Sequence, residues 1–221
     1  MKNTLLIISS LFFVMHTFGQ VNTKVDKFKV FNTTQKQITD YYKNTLSNVE
    51  LKRGDKVASV GAGNGSQEVQ LAIYNPEIEW TLQEIDTISL NPKSFEKVKK
   101  TYEKVIGNSV NGQFLFVIGA EKNTNLVVDY FDKVLLLNVF HELDYKRMIM
   151  PDIYNSLKKN GQVIIMENIA NTFGQKDPGC HRIKIWEPDF IKEMQGYNFK
   201  LISKKEHLKI RRLMFYIFEK P

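Results

Sequence analysis

The chain has 221 residues, of which 43% are hydrophobic and 25% charged. That balance is ordinary for a soluble globular domain, supplies one sizeable core and excludes global disorder. The formal net charge is +7, but the densest basic cluster, Lys204, Lys205, Lys209, Arg211 and Arg212, reads as the solvated face of a late strand. It has no stacking aromatics or nucleic-acid module, so no nucleic-acid partner is expected. The single cysteine, Cys180, excludes an intramolecular disulfide and, on counting alone, a cysteine-based metal site.

Residues 1–19 read as a signal peptide. Lys2 gives a short basic start, Leu5 to Met15 is apolar apart from Ser9 and Ser10, and Thr17 and Gly19 suit the −3 and −1 positions of a cleavage site. The apolar run is shorter than the roughly 20 residues of a permanent span. The mature chain is therefore expected to begin near Gln20 and to be exported, periplasmic or secreted, with no stable membrane span.

Residues 20–50 form an N-terminal helical segment. Thr34 and Gln37 have capping-box spacing for a helix over 33–48, with Ile38, Tyr41, Tyr42 and Leu46 near one face. From Leu51 to Pro221 strand and helix patterns alternate. Strands are expected at 56–60, 79–84, 113–118, 133–139 and 162–167, and helices at 66–73, 91–102, 145–157 and 187–195. Two closing strands, 199–205 and 213–218, have no helix between them and read as an antiparallel edge hairpin. The fold class is α/β: a doubly wound, mostly parallel sheet with helices on both faces and an antiparallel last strand.

The first strand runs into Val60-Gly61-Ala62-Gly63-Asn64-Gly65, a turn that a ligand can approach closely. A nicotinamide or flavin fingerprint wants its third glycine where Ser66 stands, so a nicotinamide-dependent oxidoreductase is disfavoured. The second strand ends in Glu84-Ile85-Asp86, about twenty residues on, where a carboxylate accepts ribose hydroxyls. Glu84 is the first candidate and Asp86 the second. Three later segments follow in order: Phe116-Val117-Ile118-Gly119-Ala120-Glu121, then Asp132-Lys133-Val134 through Asn138-Val139-Phe140-His141-Glu142-Leu143, then Leu157-Lys158-Lys159-Asn160-Gly161 leading to Glu167.

Together these five segments resemble the motifs of class I S-adenosylmethionine-dependent methyltransferases, and the resemblance covers nearly all of 51–221. It implies a seven-stranded sheet and S-adenosyl-L-methionine as cofactor. The cofactor-binding residues would be Ser59, Gly61, Gly63, Gly65, Glu84, Asp86, Ala120, Glu121 and Asn138. The acceptor would be a small molecule, and the N-terminal helix would cover the substrate side. The chain departs from the family at Ser59, where an acid is usual, so another acid is expected to substitute or cofactor affinity to fall. With the export signal, this keeps open an alternative: a catalytically inactive binding protein of the same fold.

His141, just past the fourth strand, is the first candidate for a base or substrate contact, and Glu142 is the second. A structural cap of the loop is the other reading of His141. The His141-Glu142 pair lacks the second histidine of a zinc protease, since position 145 is Tyr, and no metal is expected. His181 and Arg182 lie in a loop that is either an exposed turn or a clamp for a substrate carboxylate or phosphate. Nothing in the sequence sets an oligomeric state.

Overall fold

The computed structural model describes residues 30–207 and 209–221. The proposed signal peptide lies outside them. Seven strands form one sheet: β1 (Lys56–Val60), β2 (Glu79–Glu84), β3 (Gln113–Ile118), β4 (Phe131–Leu137), β5 (Leu157–Asn168), β6 (Lys200–Glu206) and β7 (Leu213–Glu219). Their order is β3-β2-β1-β4-β5-β7-β6. Pairing is parallel from β3 through to β5, and β7 runs antiparallel to both β5 and β6. The last strand is thus inserted between β5 and its hairpin partner β6, leaving β6 at the edge.

Five helices flank the sheet: α1 (Gln35–Asn44), α2 (Ser66–Tyr74), α3 (Pro92–Ile106), α4 (Lys146–Ser156) and α5 (Glu187–Gly196). The sheet divides the apolar interior into two cores. Val57, Leu82, Leu135, Ile164 and Phe215 pack on one face with α1, α2 and α3. Val134, Leu136, Val163, Ile165 and Phe218 pack on the other with α4 and α5. The alternation along each strand is the period of two that sends successive side chains to opposite faces. Both faces being covered explains why β4 ends in the apolar run Val134–Leu137.

Several boundaries differ from the sequence expectation. The helix at 91–102 extends to Ile106 and ends where Gly107 turns left-handed at φ 72°. The strand expected at 133–139 is displaced to 131–137, because Asn138 adopts φ 64° and its N–H bonds the Met166 carbonyl at 2.7 Å. β5 begins at Leu157 rather than 162. Asn160 and Gly161, expected as a plain turn, exchange backbone bonds with Lys220 at 2.8 and 2.9 Å.

The N-terminal helix corrects a second expectation. Its capping box forms as anticipated, with Thr34 accepting from Gln37 N–H at 3.2 Å and the Gln37 side chain accepting from Thr34 N–H at 3.1 Å. It does not cover the open end of the sheet. Tyr42 stacks on Tyr74 with ring centroids 3.9 Å apart, and Tyr41 donates to Gln67 at 3.2 Å. These aromatic contacts seat α1 on α2, on the flank of the molecule. Among the described residues no helix is long and apolar enough to cross a membrane.

Candidate functional site

The carboxyl ends of β1, β2 and β4 open into a cavity of about 530 Å³, lined among others by Gly61, Gly63, Gln83, Glu84, Ala120, Glu121, Glu142, Asp144, Tyr145 and Arg182. A parallel sheet whose strand order reverses between β1 and β4 leaves its crevice there, because the crossovers depart to opposite faces. A second cavity of about 310 Å³ adjoins it, lined by Asn138, His141, Glu142, Glu167, Asn168, Asp177, Cys180 and Lys184. Glu142 borders both.

The glycines of the first turn answer to different constraints. Gly65, at φ 79°, lies under α3, and a Cβ there would sit 2.6 Å from the Phe95 ring. Gly63, at φ 58°, would place a Cβ with nothing within 4 Å, on a backbone that borders the large cavity. Gly65 is therefore fixed by packing, and Gly63 keeps the cavity wall low. A Cβ at Gly61 would strike Val139 at 2.7 Å, which joins the turn tightly to the end of β4.

Glu84 ends β2 with its carboxylate folded toward this turn. One oxygen accepts from Gly63 N–H at 2.8 Å, and the other from Ile85 N–H at 2.8 Å and Asp86 N–H at 3.2 Å. A carboxylate offers about four lone-pair sites, so the three N–H donors leave about one open to a ligand hydroxyl. Asp86 turns the other way. It accepts from Ser89 Oγ at 2.7 Å and Ile88 N–H at 3.0 Å, closing the loop before α3, and it does not line the cavity. Ala120 and Glu121 do line it.

Ser59 is 1% exposed and also off the cavity. Its hydroxyl donates to Glu68 at 2.6 Å. Glu68, in the first turn of α2, is buried beneath the glycine turn, and its second oxygen has no hydrogen-bond partner. Burial raises its pKa to about 7, with the Ser59 hydrogen bond opposing. Ser59 is thus joined to a carboxylate nine residues later, which lies off the cavity. The position of Glu68 at a helix start made it look like an ordinary solvated residue. Gln83 was also passed over. It lies buried in β2 against Gly119, where a Cβ would come within 1.9 Å of its amide nitrogen.

His141 and Asn138 border the second cavity rather than the first. The His141 side chain is 8% exposed. Its Nδ1 lies 2.8 Å from a carboxylate oxygen of Glu167, whose other oxygen accepts from His141 N–H at 3.1 Å. The hydrogen bond to Glu167 raises the imidazole pKa to about 9 against the opposing effect of burial. Its ring borders the second cavity and is not part of the large cavity's lining. Glu167, fully buried at the end of β5, is the residue that fixes it.

Arg182 closes the large cavity from the loop after β5, its guanidinium forked onto the Asp144 carboxylate. His181 is exposed beside it, in a left-handed conformation at φ 59°. Of the C-terminal basic cluster, Lys204 and Lys205 pair with Glu187 and Glu50, and Arg212 donates to the Ala170 carbonyl.

No protein-family model matches the sequence, and no curated protein matches it. Solved structures do match by shape. An S-adenosylmethionine-dependent methyltransferase from Methanosarcina mazei superposes with a TM-score of 0.60 at 14% identity, over 80% of this chain and 97% of its own. A putative methyltransferase from Bacillus halodurans C-125 gives 0.59 at 14% identity, over 83% of this chain and 99% of its own. The fold is that of a class I methyltransferase. The cyclase SpnF shares this class I fold, with a TM-score of 0.60 at 13% identity, over 78% of this chain. The chain spans 59% of that larger protein's length.

Proposed function

We propose that the chain binds S-adenosyl-L-methionine in the large cavity and transfers its methyl group to a small-molecule acceptor. The observation that carries this reading is the charge and make-up of the cavity wall. Glu84, Glu121, Glu142 and Asp144 line it against one guanidinium, that of Arg182, which Asp144 already holds. A wall rich in carboxylates suits a cationic ligand bearing hydroxyls and an ammonium group. It opposes a dinucleotide pyrophosphate, and the Gly63 N–H that such a phosphate would use is occupied by Glu84. The volume lies within the range of about 300–1,000 Å³ typical of small-molecule sites.

When bound, S-adenosylmethionine supplies an electrophilic methyl group on a sulfonium. The chain's own contribution is placement, since an in-line displacement gains most from holding the reacting atoms in register. Glu84 accepts a sugar hydroxyl while keeping the glycine turn in place. Gly63 permits close approach of the ligand to backbone. Leu143 and Tyr145 give the acceptor side an apolar and aromatic wall, and Arg182, oriented by Asp144, presents its guanidinium to an anionic group of the acceptor.

Calorimetric titration with S-adenosylhomocysteine tests the reading. Binding is expected for the wild type, with Glu84→Ala weaker by about 10- to 100-fold for the loss of charge-assisted hydrogen bonds. Gly63→Arg should abolish it. Wild-type protein that ignores S-adenosylhomocysteine but binds a nicotinamide dinucleotide would overturn it. Transfer of label from S-adenosylmethionine into a pool of small molecules separates turnover from mere binding. We also propose export of the chain, on the strength of residues 1–19; mass spectrometry should find a mature terminus near Gln20, and a chain retaining Met1 would reject it.

A further inference from the structure

The second cavity is not used by this chemistry, yet three side chains of metal-binding type converge at its edge. We infer that His141, Glu142 and Cys180 form a zinc site. The His141 nitrogen, a carboxylate oxygen of Glu142 and the Cys180 sulfur all lie within 4.8 Å of one another. Cys180 Sγ is 3.5 Å from His141 Nε2, and Glu142 Oε1 is 3.8 Å from the same nitrogen. In a tetrahedral site, zinc–sulfur bonds of about 2.3 Å and zinc–nitrogen bonds of about 2.0–2.1 Å put sulfur and nitrogen ligands about 3.5 Å apart. The His–Cys separation already has that value, and a small rotation of the exposed Glu142 carboxylate brings it to the same edge length.

An independent feature is the support behind the imidazole. Metal-bound histidines usually give their second ring N–H to a carboxylate, which sets the tautomer and aims the ligand nitrogen. Glu167 does this for His141 at 2.8 Å, and the residue is fully buried, so its carboxylate has little freedom to turn elsewhere. The His141 side chain is itself more than nine-tenths buried, and its Nε2 is directed to the one face where Cys180 and Glu142 stand. Imidazole, thiol and carboxylate atoms converge on one point at the edge of a cavity of about 310 Å³, a set whose mutual contacts one cation would replace. Thiolate, imidazole and carboxylate together select zinc over magnesium or calcium, which prefer oxygen alone.

Zinc takes the place of the Nε2 proton and of the Cys180 thiol proton, and both are released to solvent. Three protein ligands leave a fourth position for water, which is the open arrangement of zinc sites that do more than hold a fold. Because Glu142 also borders the large cavity, that position lies beside the proposed acceptor side. The metal site itself does not depend on the methyl-transfer reading.

The full-length mature chain, loaded with zinc and dialysed, should retain one equivalent by elemental mass spectrometry. Cobalt substitution should give a near-ultraviolet thiolate charge-transfer band. Cys180→Ser should abolish that band, and it alters an exposed residue, so the fold is expected to survive; circular dichroism checks this. Glu167→Gln keeps all three ligands but should weaken zinc by about 10- to 100-fold in competition with a chromogenic chelator. Wild-type protein that retains no zinc overturns the site. So does a cobalt complex without the charge-transfer band, or zinc affinity unchanged in Cys180→Ser. None of these readouts involves methyl transfer, so failure here and failure of the proposed function are separable.

Discussion

The cavity at the glycine turn and its neighbour at His141 share Glu142 but are assembled from different material. The first is largely backbone and packing: Gly63 N–H meets Glu84, Gly65 lies under Phe95, and Glu68 is sealed beneath with Ser59. The second is side-chain chemistry, with Cys180 brought to His141 from 39 residues away and Glu167 from 26. The first is continuous with the core, so altering it costs stability. The second joins the buried pair His141 and Glu167 to the exposed loop residues Glu142 and Cys180, and the two exposed ones can change with little effect on the fold.

The largest expected effect tests the packing side of this contrast. Gly65→Val combines a left-handed backbone with a collision against the Phe95 ring. It should destabilise the protein by about 2–4 kcal/mol in urea melts. A loss below that of a surface substitution would show that α3 yields easily and that the turn is not part of the core.

Next comes the buried acid. Glu68 titrates at about 7 in the folded chain against an ordinary value of 4.5. Between those two values the unfolded chain gives up a proton that the folded chain keeps. Stability therefore falls as pH rises from 4.5 to about 7 and then levels, by about 3 kcal/mol from this group. Glu68→Gln should remove that slope, so the difference between the two stability–pH curves isolates it. Parallel curves would mean that water reaches Glu68.

A smaller effect lies at the flank. Thr34→Ala removes the side-chain half of the capping box and should cost about 1 kcal/mol, with S-adenosylhomocysteine affinity unchanged because α1 packs on α2 and not over the cavity. Altered affinity would place the N-terminal segment nearer the ligand. The smallest stability change belongs to the loop side. Arg182→Ala breaks an exposed ion pair and should leave stability near that of the wild type, while lowering methyl transfer through a higher acceptor KM. Transfer kinetics equal to wild type would remove Arg182 from the acceptor side.

The sequence by itself determined the order and type of the elements and the ligand end of the sheet. β1, β2 and β3 fall where alternation and glycine placed them, because period-two patterning and turn chemistry act between residues close in the chain. The glycine turn and Glu84 meet for the same reason: adjacent parallel strands put their carboxyl ends side by side. Only the tertiary structure decided that Ser59 is bonded to the buried Glu68, that Asp86 and Ser59 face away from the cavity, and that α1 lies on the flank. It also decided that His141 belongs with Glu167 and Cys180. Counting one cysteine excluded a cysteine-based metal site, whereas the fold brings Cys180 to His141 and Glu142 from a separate loop. The two loops approach because β4 and β5 are neighbours in the sheet, and no local pattern along the chain encodes that approach.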